Sequence, residues 1–265
     1  MFIAAIIGAL LSNAVAIYNG YDEQSIESGL FGFNGVLLAM AVAVFIQHNI
    51  MMWFVMVVGI VLATILTQTF KHILTDHFGI PGSTGPFVFC GWLILFAAYQ
   101  FSTVTVNTGI HPHFVENYHQ AHASIENALA YGYLFFKNIG QVYFLSEPLS
   151  GLLILIGIAI GSPVFAAYAA MGSVVTIIVA ELLGVDNNVL FNGLYGFSPV
   201  LTALAVGCVF IERNVIYALV ATVVTVFIQA SLYSVTTAFA VPTFTSAYVL
   251  TMYLFIAAYK KQNTG

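Results

Sequence analysis

The sequence predicts an all-α polytopic membrane protein, and three observations carry that prediction. First, of 265 residues 61% are hydrophobic and 6% charged, with a mean hydropathy of +1.00. A soluble domain carries about 25% charged residues. Ten acids and five bases cannot solvate the surface of a 28.6 kDa globule, so a soluble enzyme, a nucleic-acid binder and a disordered scaffold are excluded. Second, the apolar residues come in continuous runs rather than the alternating segments of about 10 that build an outer-membrane barrel. Third, a set of motifs occurs twice along the chain.

A spanning helix needs about 20 mostly apolar residues, and one of about 10–14 suggests a re-entrant piece. Between polar, Pro and Gly breaks, apolar segments lie near 2–18, 30–46, 51–70 and 86–106. A polar connector follows at 107–124, and six more segments lie near 125–146, 149–162, 164–183, 194–211, 215–233 and 237–259. The 14-residue segment 149–162, fenced by Pro148 and Pro163, reads as a half-span that dips and returns. With Lys260 and Lys261 on the cytoplasmic side, that dip also places Arg213 and Lys71 inside, in keeping with the basic bias of cytoplasmic loops.

The repeat defines the organisation. Gly29-Leu30-Phe31-Gly32-Phe33-Asn34-Gly35-Val36-Leu37 returns as Gly193-Leu194-Tyr195-Gly196-Phe197-Ser198-Pro199-Val200-Leu201, an offset of 164. The same offset pairs Gly8 with Gly172, Gly20 with Gly184 and Asp22 with Asp186. Pro81-Gly82-Ser83-Thr84 matches Pro242-Thr243-Phe244-Thr245 at an offset of 161. The expected domains are a first membrane repeat at 1–106, the connector at 107–124 and a second repeat at 125–265. Arg213 and Lys71 fall at non-equivalent loops of the two copies, which predicts an inverted pair. Inverted repeats place a solute site near the bilayer midplane at broken helices. Pro81 and Pro242 are the expected breaks, where backbone carbonyls are freed to line a cavity.

These residues resemble the urea transporter family of channel-like proteins. The Gly-Leu-aromatic-Gly-aromatic-Asn motif stands at 29–34 and, with Ser in the last place, at 193–198. Pro81-Gly82-Ser83-Thr84-Gly85-Pro86-Phe87 matches the family's Pro-x-x-Thr-x-Pro-Phe, and its second copy keeps Pro242 and Thr245. Gly140-Gln141-Val142-Tyr143-Phe144 followed by Pro148-Leu149-Ser150-Gly151 is similar to the segment that enters the pore. Gln141 lies 52 residues before Gly193, so its first-repeat partner falls before Met1. The first copy is therefore expected to lack its leading helix and its Gln-x-x-Phe segment.

The resemblance implies a central pore that passes urea down its gradient, in a homotrimer with one pore per protomer. Urea is flat and rich in N–H donors, and stripping its water without replacement costs several kcal/mol, about 2–7 for one amide-like group. Such a pore needs acceptors and a flat apolar slot. By resemblance Thr84 and Thr245 serve the centre, Phe33, Leu37, Phe197 and Leu201 form slot walls, and Gln141 with Phe144 mark one mouth. Each has a plainer reading beside it. The i,i+4 pairs Phe33/Leu37 and Phe197/Leu201 also fit helix packing, and the threonines also fit helix breaks. Gly29, Gly32, Gly193 and Gly196 read as close packing, Glu147 as the cap of a helix starting near Leu149, and Trp53 and Trp92 as interfacial anchors.

No enzyme motif is present, and no cofactor or metal is expected. His111, His113, His119 and His122 in the connector read as solvated loop residues, and Cys90 and Cys208 as free thiols in apolar stretches. The rival functions are an ion-coupled secondary transporter and a non-transporting truncated scaffold. Coupling usually needs a midspan acid or histidine. Asp22, Asp76, Glu116, Glu126, Glu147, Glu181, Asp186 and Glu212 all fall at segment ends or loops, as do His48, His72 and His77. The expected partners are urea and the lipid bilayer, with no nucleic acid, in a bacterial inner (plasma) membrane.

Overall fold

The computed structural model describes residues 1–107, 128–211 and 214–263. Most of the connector with its four histidines, together with Glu126, Glu212, Arg213 and the side chains of Lys260 and Lys261, lies outside the described residues. The protein is all-α and polytopic. Among the described residues there is no strand, only an isolated antiparallel bridge between Ile46 and Val106. The chain divides into two compact units, Met1–Pro112 with Phe239–Pro242, and His113–Ala238 with Thr243–Gly265.

The first unit contains α1 (Phe2–Tyr18), the short α2 (Glu23–Glu27), α3 (Leu30–Phe45), α4 (Ile50–Phe70) and α5 (Gly85–Ala98). α4 continues through a π-helical turn, Lys71–Asp76, so the apolar helix runs 27 residues and is long enough to cross a bilayer. α1 packs on α3, α3 on α4 and α4 on α5. The α1–α3 contact is backbone against backbone: a Cβ on Gly8 would sit 2.6 Å from the Gly35 carbonyl oxygen. Asp22 caps α2, accepting from the Ser25 amide at 2.9 Å and its hydroxyl at 2.6 Å, and meets Lys71 Nζ at 3.4 Å. Those bonds, the Ser25 hydroxyl first, hold the Asp22 carboxyl below the usual carboxylate range.

The second unit contains α6 (Ala128–Gly140), a 3₁₀ turn Gln141–Tyr143, α7 (Pro148–Gly161), α8 (Pro163–Leu182), α9 (Asn187–Phe191), α10 (Phe197–Leu204), α11 (Val215–Ala238) and α12 (Ser246–Asn263). α8 and α11 are long and apolar enough to span. α6 with its 3₁₀ turn meets α7 at 75°. α7 has 14 residues, about 21 Å at 1.5 Å per residue, short of a hydrocarbon core of about 30 Å. Pro148 starts it, and Ser162 caps the next helix by accepting from the Phe165 amide at 3.4 Å.

Residues at the repeat offset do the same local work in each unit. A Cβ on Gly172 would lie 2.7 Å from Val200 Cα, as Gly8 abuts Val36. Gly20 and Gly184 have φ of 65° and 67°, and Asp186 caps α9 through the Asn188 amide at 2.8 Å. Gly29 and Gly193 have φ of 78° and 74°, a left-handed turn that excludes most side chains. Gly29 has nothing within 4 Å of an added Cβ. Its place in the motif is therefore a turn requirement rather than close packing. Gly193 and Gly196 do pack closely, against Lys137 and Asn138 of α6.

Two apolar runs depart from the expected spans. The helix expected over 86–106 stops at Ala98. Residues beyond it turn back, and the Gln47 amide donates to Thr105 O at 2.9 Å while the Asn107 amide donates to Phe45 O at 2.6 Å. The Thr-Val-Thr-Val stretch 103–106 favours extended backbone, a preference that hydropathy does not register. The run 237–259 is broken, because Pro242 lacks an amide hydrogen and biases the residue before it away from helix. α12 begins only at Ser246.

Candidate functional site

Each helix break is a tight turn with a left-handed residue just before a threonine. Ser83 and Phe244 both have φ of 48°, a conformation that non-glycine residues seldom adopt. The Gly85 amide donates to Gly82 O at 3.0 Å, and the Ser246 amide to Thr243 O at 3.2 Å. Thr84 is the N-cap of α5, and Thr245 immediately precedes α12. Both threonines are buried, at 7% and 3% exposure.

Buried polar side chains hold these breaks. Asn34, fully buried on α3, donates through Nδ2 to Ser83 O at 3.1 Å and accepts through Oδ1 from the Phe87 amide at 3.2 Å. Trp92 Nε1 donates to Pro242 O at 2.9 Å, and the Tyr99 hydroxyl to Ala240 O at 2.7 Å. Gln229, fully buried on α11, donates through Nε2 to Leu194 O at 3.0 Å and to Thr243 Oγ1 at 3.1 Å. Ser83 O, Ala240 O and Pro242 O thus each receive a protein donor on one lone pair, as buried backbone in apolar surroundings requires. Trp92 is an internal donor rather than an interfacial anchor, while Trp53 on α4 is 37% exposed.

The remaining expected residues divide between packing and exposure. On α3 Phe33 is 36% exposed, whereas Leu37, one turn on, is buried. On α10 Phe197 is buried and Leu201 half-buried. Gln141 is half-buried in the 3₁₀ turn and donates through Nε2 to Asn192 O at 2.8 Å. Phe144 takes a left-handed conformation at the bend, φ 58°, with its ring edge-on to Phe244 at 6.3 Å. The second unit therefore brings the Gln141–Phe144 turn against the residue next to Thr245. Glu147 occupies the N-cap of α7 but makes no side-chain cap bond, so only its charge favours the helix end.

Sequence reasoning passed over Asn34, Tyr99 and Gln229 as working groups. The signal was available: an amide or phenol within an apolar run must find a partner. Which backbone group it meets depends on helix packing, which no spacing reveals. Neither Cys90 nor Cys208 is in a disulfide; their thiols donate to Gly59 O at 3.4 Å and Leu204 O at 3.2 Å, and no metal-ligand cluster occurs among the described residues.

Apolar helices interrupted by threonine-bearing turns, with buried amides securing the broken backbone, define a helical membrane protein with broken helices inside its apolar units. A family model described as "Urea transporter" matches residues 1–260, and the chain belongs to that family. Among its relatives, Urea transporter 1 of Rattus norvegicus and that of Ovis aries are each 25% identical over 256 residues, covering 94% of this chain and 66% of theirs. Urea transporter 1 of Mus musculus is 25% identical over 207 residues, covering 77% of this chain and 53% of its own. The chain thus spans just under two thirds of the rat and sheep proteins.

Proposed function

We propose that this chain conducts urea across a membrane, down its gradient and without a coupling ion. Family membership supports urea as the solute. The observation that carries the mechanism is the pair of breaks, each placing a buried threonine at the start of a helix inside an apolar unit. A hydroxyl can accept from a urea N–H and donate to its carbonyl, so Thr84 and Thr245 replace hydration that a desolvated urea loses. Phe33, Leu37, Phe197 and Leu201 supply apolar walls that exclude charged and bulkier solutes. Gln141 and Phe144 receive the solute at one mouth.

The positions of the acids support passive conduction over coupling. Asp22 and Asp186 cap short helices, Glu147 sits at the N-cap of α7, Asp76 ends the π turn after α4, and Glu181 lies in the last turn of α8. None of these stands midway along a span, where a charge carrier belongs. A homotrimer with one pore per protomer is the assembly we infer by family likeness, in organisation as two repeats of opposite orientation. A helical rather than barrel architecture fits a bacterial inner (plasma) membrane.

The test is urea efflux from liposomes holding the purified chain, followed by stopped-flow light scattering. Flux above protein-free vesicles, unchanged by a proton or sodium gradient, is expected. Thr84→Val and Thr245→Val should each lower it about tenfold, the scale of one lost hydrogen bond of about 1–1.5 kcal/mol. Gradient-dependent flux would establish coupled transport instead, and no flux would overturn the proposal in favour of a scaffold.

A further inference from the structure

Lys137 stands in the last turn of α6, one helical turn before Gln141. Its Nζ donates to Phe191 O at 3.2 Å, and Gln141 Nε2 donates to the next carbonyl, Asn192 O, at 2.8 Å. The two side chains thus leave one face of α6 and its 3₁₀ extension and are held by neighbouring carbonyls at the end of α9. The ion pairs among the described residues are those of Lys71 with Asp22 and of His72 with Asp76. Among those residues Lys137 therefore has a carbonyl, and no carboxylate, as its partner. The acid across the bend, Glu147, is exposed, where water and salt screen its charge. A cation in the last turn suits the helix dipole, but an ammonium pointing into solvent would serve that purpose equally. Lys137 is instead partly buried and docked beside Gln141, and an ionisable group so placed in an apolar unit points to a function.

We propose that Lys137 is a specificity residue: its positive charge turns cations away from the mouth at Gln141, above all the guanidinium ion. Guanidinium has the planar frame of urea with a third amino group in place of the carbonyl oxygen, so a slot shaped for urea admits it. It is weakly hydrated, aromatic faces attract it, and carbonyl and hydroxyl acceptors suit its N–H groups. Apolar walls that stop well-hydrated ions therefore select poorly against it. Charge is the difference that the mouth can use. Lys137 supplies a fixed repulsion that a cation feels and a neutral solute does not. Four residues of helix rise about 6 Å. A unit charge at about 6 Å, in a medium of ε about 40 between a protein surface and bulk water, discriminates about tenfold.

The inference rests on the reading of Gln141 as one mouth of a urea-conducting path. Liposomes holding the full chain take up labelled urea or labelled guanidinium, with the membrane potential held at zero by equal potassium on both sides and a potassium ionophore. The quantity compared is the ratio of guanidinium flux to urea flux. Lys137→Gln keeps a donor for Phe191 O and removes the charge, and should raise the ratio about tenfold. Lys137→Glu should raise it further, and Lys137→Arg should keep the native ratio. A lysine that only braces α6 against α9 would, when replaced, lower both fluxes together and leave the ratio where it was. A ratio unchanged in Lys137→Gln, or raised as much by Lys137→Arg, would overturn the inference and leave urea conduction standing. So would a native chain that passes guanidinium as readily as urea. If Lys137→Gln does not fold, Lys137→Met is put through the same comparison. A native chain that passes no urea would overturn the conduction proposal, and this inference with it.

Discussion

Gly8→Ala adds a single methyl group, and the structure sets what it must displace. The new Cβ would lie 2.6 Å from Gly35 O and 2.8 Å from Val36 Cα. Ordinary contact begins at 3.4 Å, so α1 and α3 must separate by 3.4 − 2.6, or about 0.8 Å. Both obstacles are backbone, so no side chain can rotate away. Overpacking of this kind costs about 1–3 kcal/mol. At about 2–4 °C per kcal/mol for a chain of this size, the unfolding midpoint should fall by roughly 2–12 °C. The assay is thermal unfolding of the purified protein in detergent. Gly132→Ala on α6 is the control, since nothing lies within 4 Å of its added Cβ and alanine favours helix by about 1 kcal/mol. The separation also shifts α3, which carries Asn34 and Phe33, so urea flux should drop in Gly8→Ala and persist in the control. A Gly8→Ala midpoint equal to or above that of Gly132→Ala would refute the reading of α1–α3 as a backbone contact.

Two further outcomes are expected. Asp22 has a folded-state pKa below its ordinary value near 4, so its contribution to stability is present above that value and is lost as pH falls through the lowered one. A series of unfolding midpoints between about pH 2 and 6 should show this acid-side decline in the native chain and a flatter profile in Asp22→Ala. Gln229→Leu withdraws one donor from both Leu194 O and Thr243 Oγ1 inside the second unit. It should destabilise the protein by about 1–3 kcal/mol, measured as a lower midpoint, whereas Gln68→Leu, whose Nε2 meets only the exposed His72 ring, should cost less.

How far the site was legible in the sequence differs from residue to residue. Pro81 and Pro242 marked both breaks, because a residue without an amide hydrogen interrupts a helix wherever it falls beyond the first turn. Asp22 and Asp186 were recognisable as a pair, and both prove to be helix caps. Gly29 looked like packing, since small residues at three-residue spacing look alike whether they admit a neighbouring helix or a left-handed turn. Trp92 looked like an interfacial anchor, since an indole serves equally well at a membrane surface or as an internal donor.

Composition and the repeat alone determined that the chain is a helical membrane protein with two breaks at matched positions. The first follows from the cost of exposing so much apolar surface to water, and the second from the local chemistry of proline. Even the short α7 was readable, because prolines at 148 and 163 bound it. The clamp of Asn34 on Ser83 and Phe87 was decided only by the tertiary structure. The two groups it joins lie 49 and 53 residues away, and a hydrogen bond of about 3 Å is formed by the packing of α3 against the start of α5, not by any feature of the chain between them.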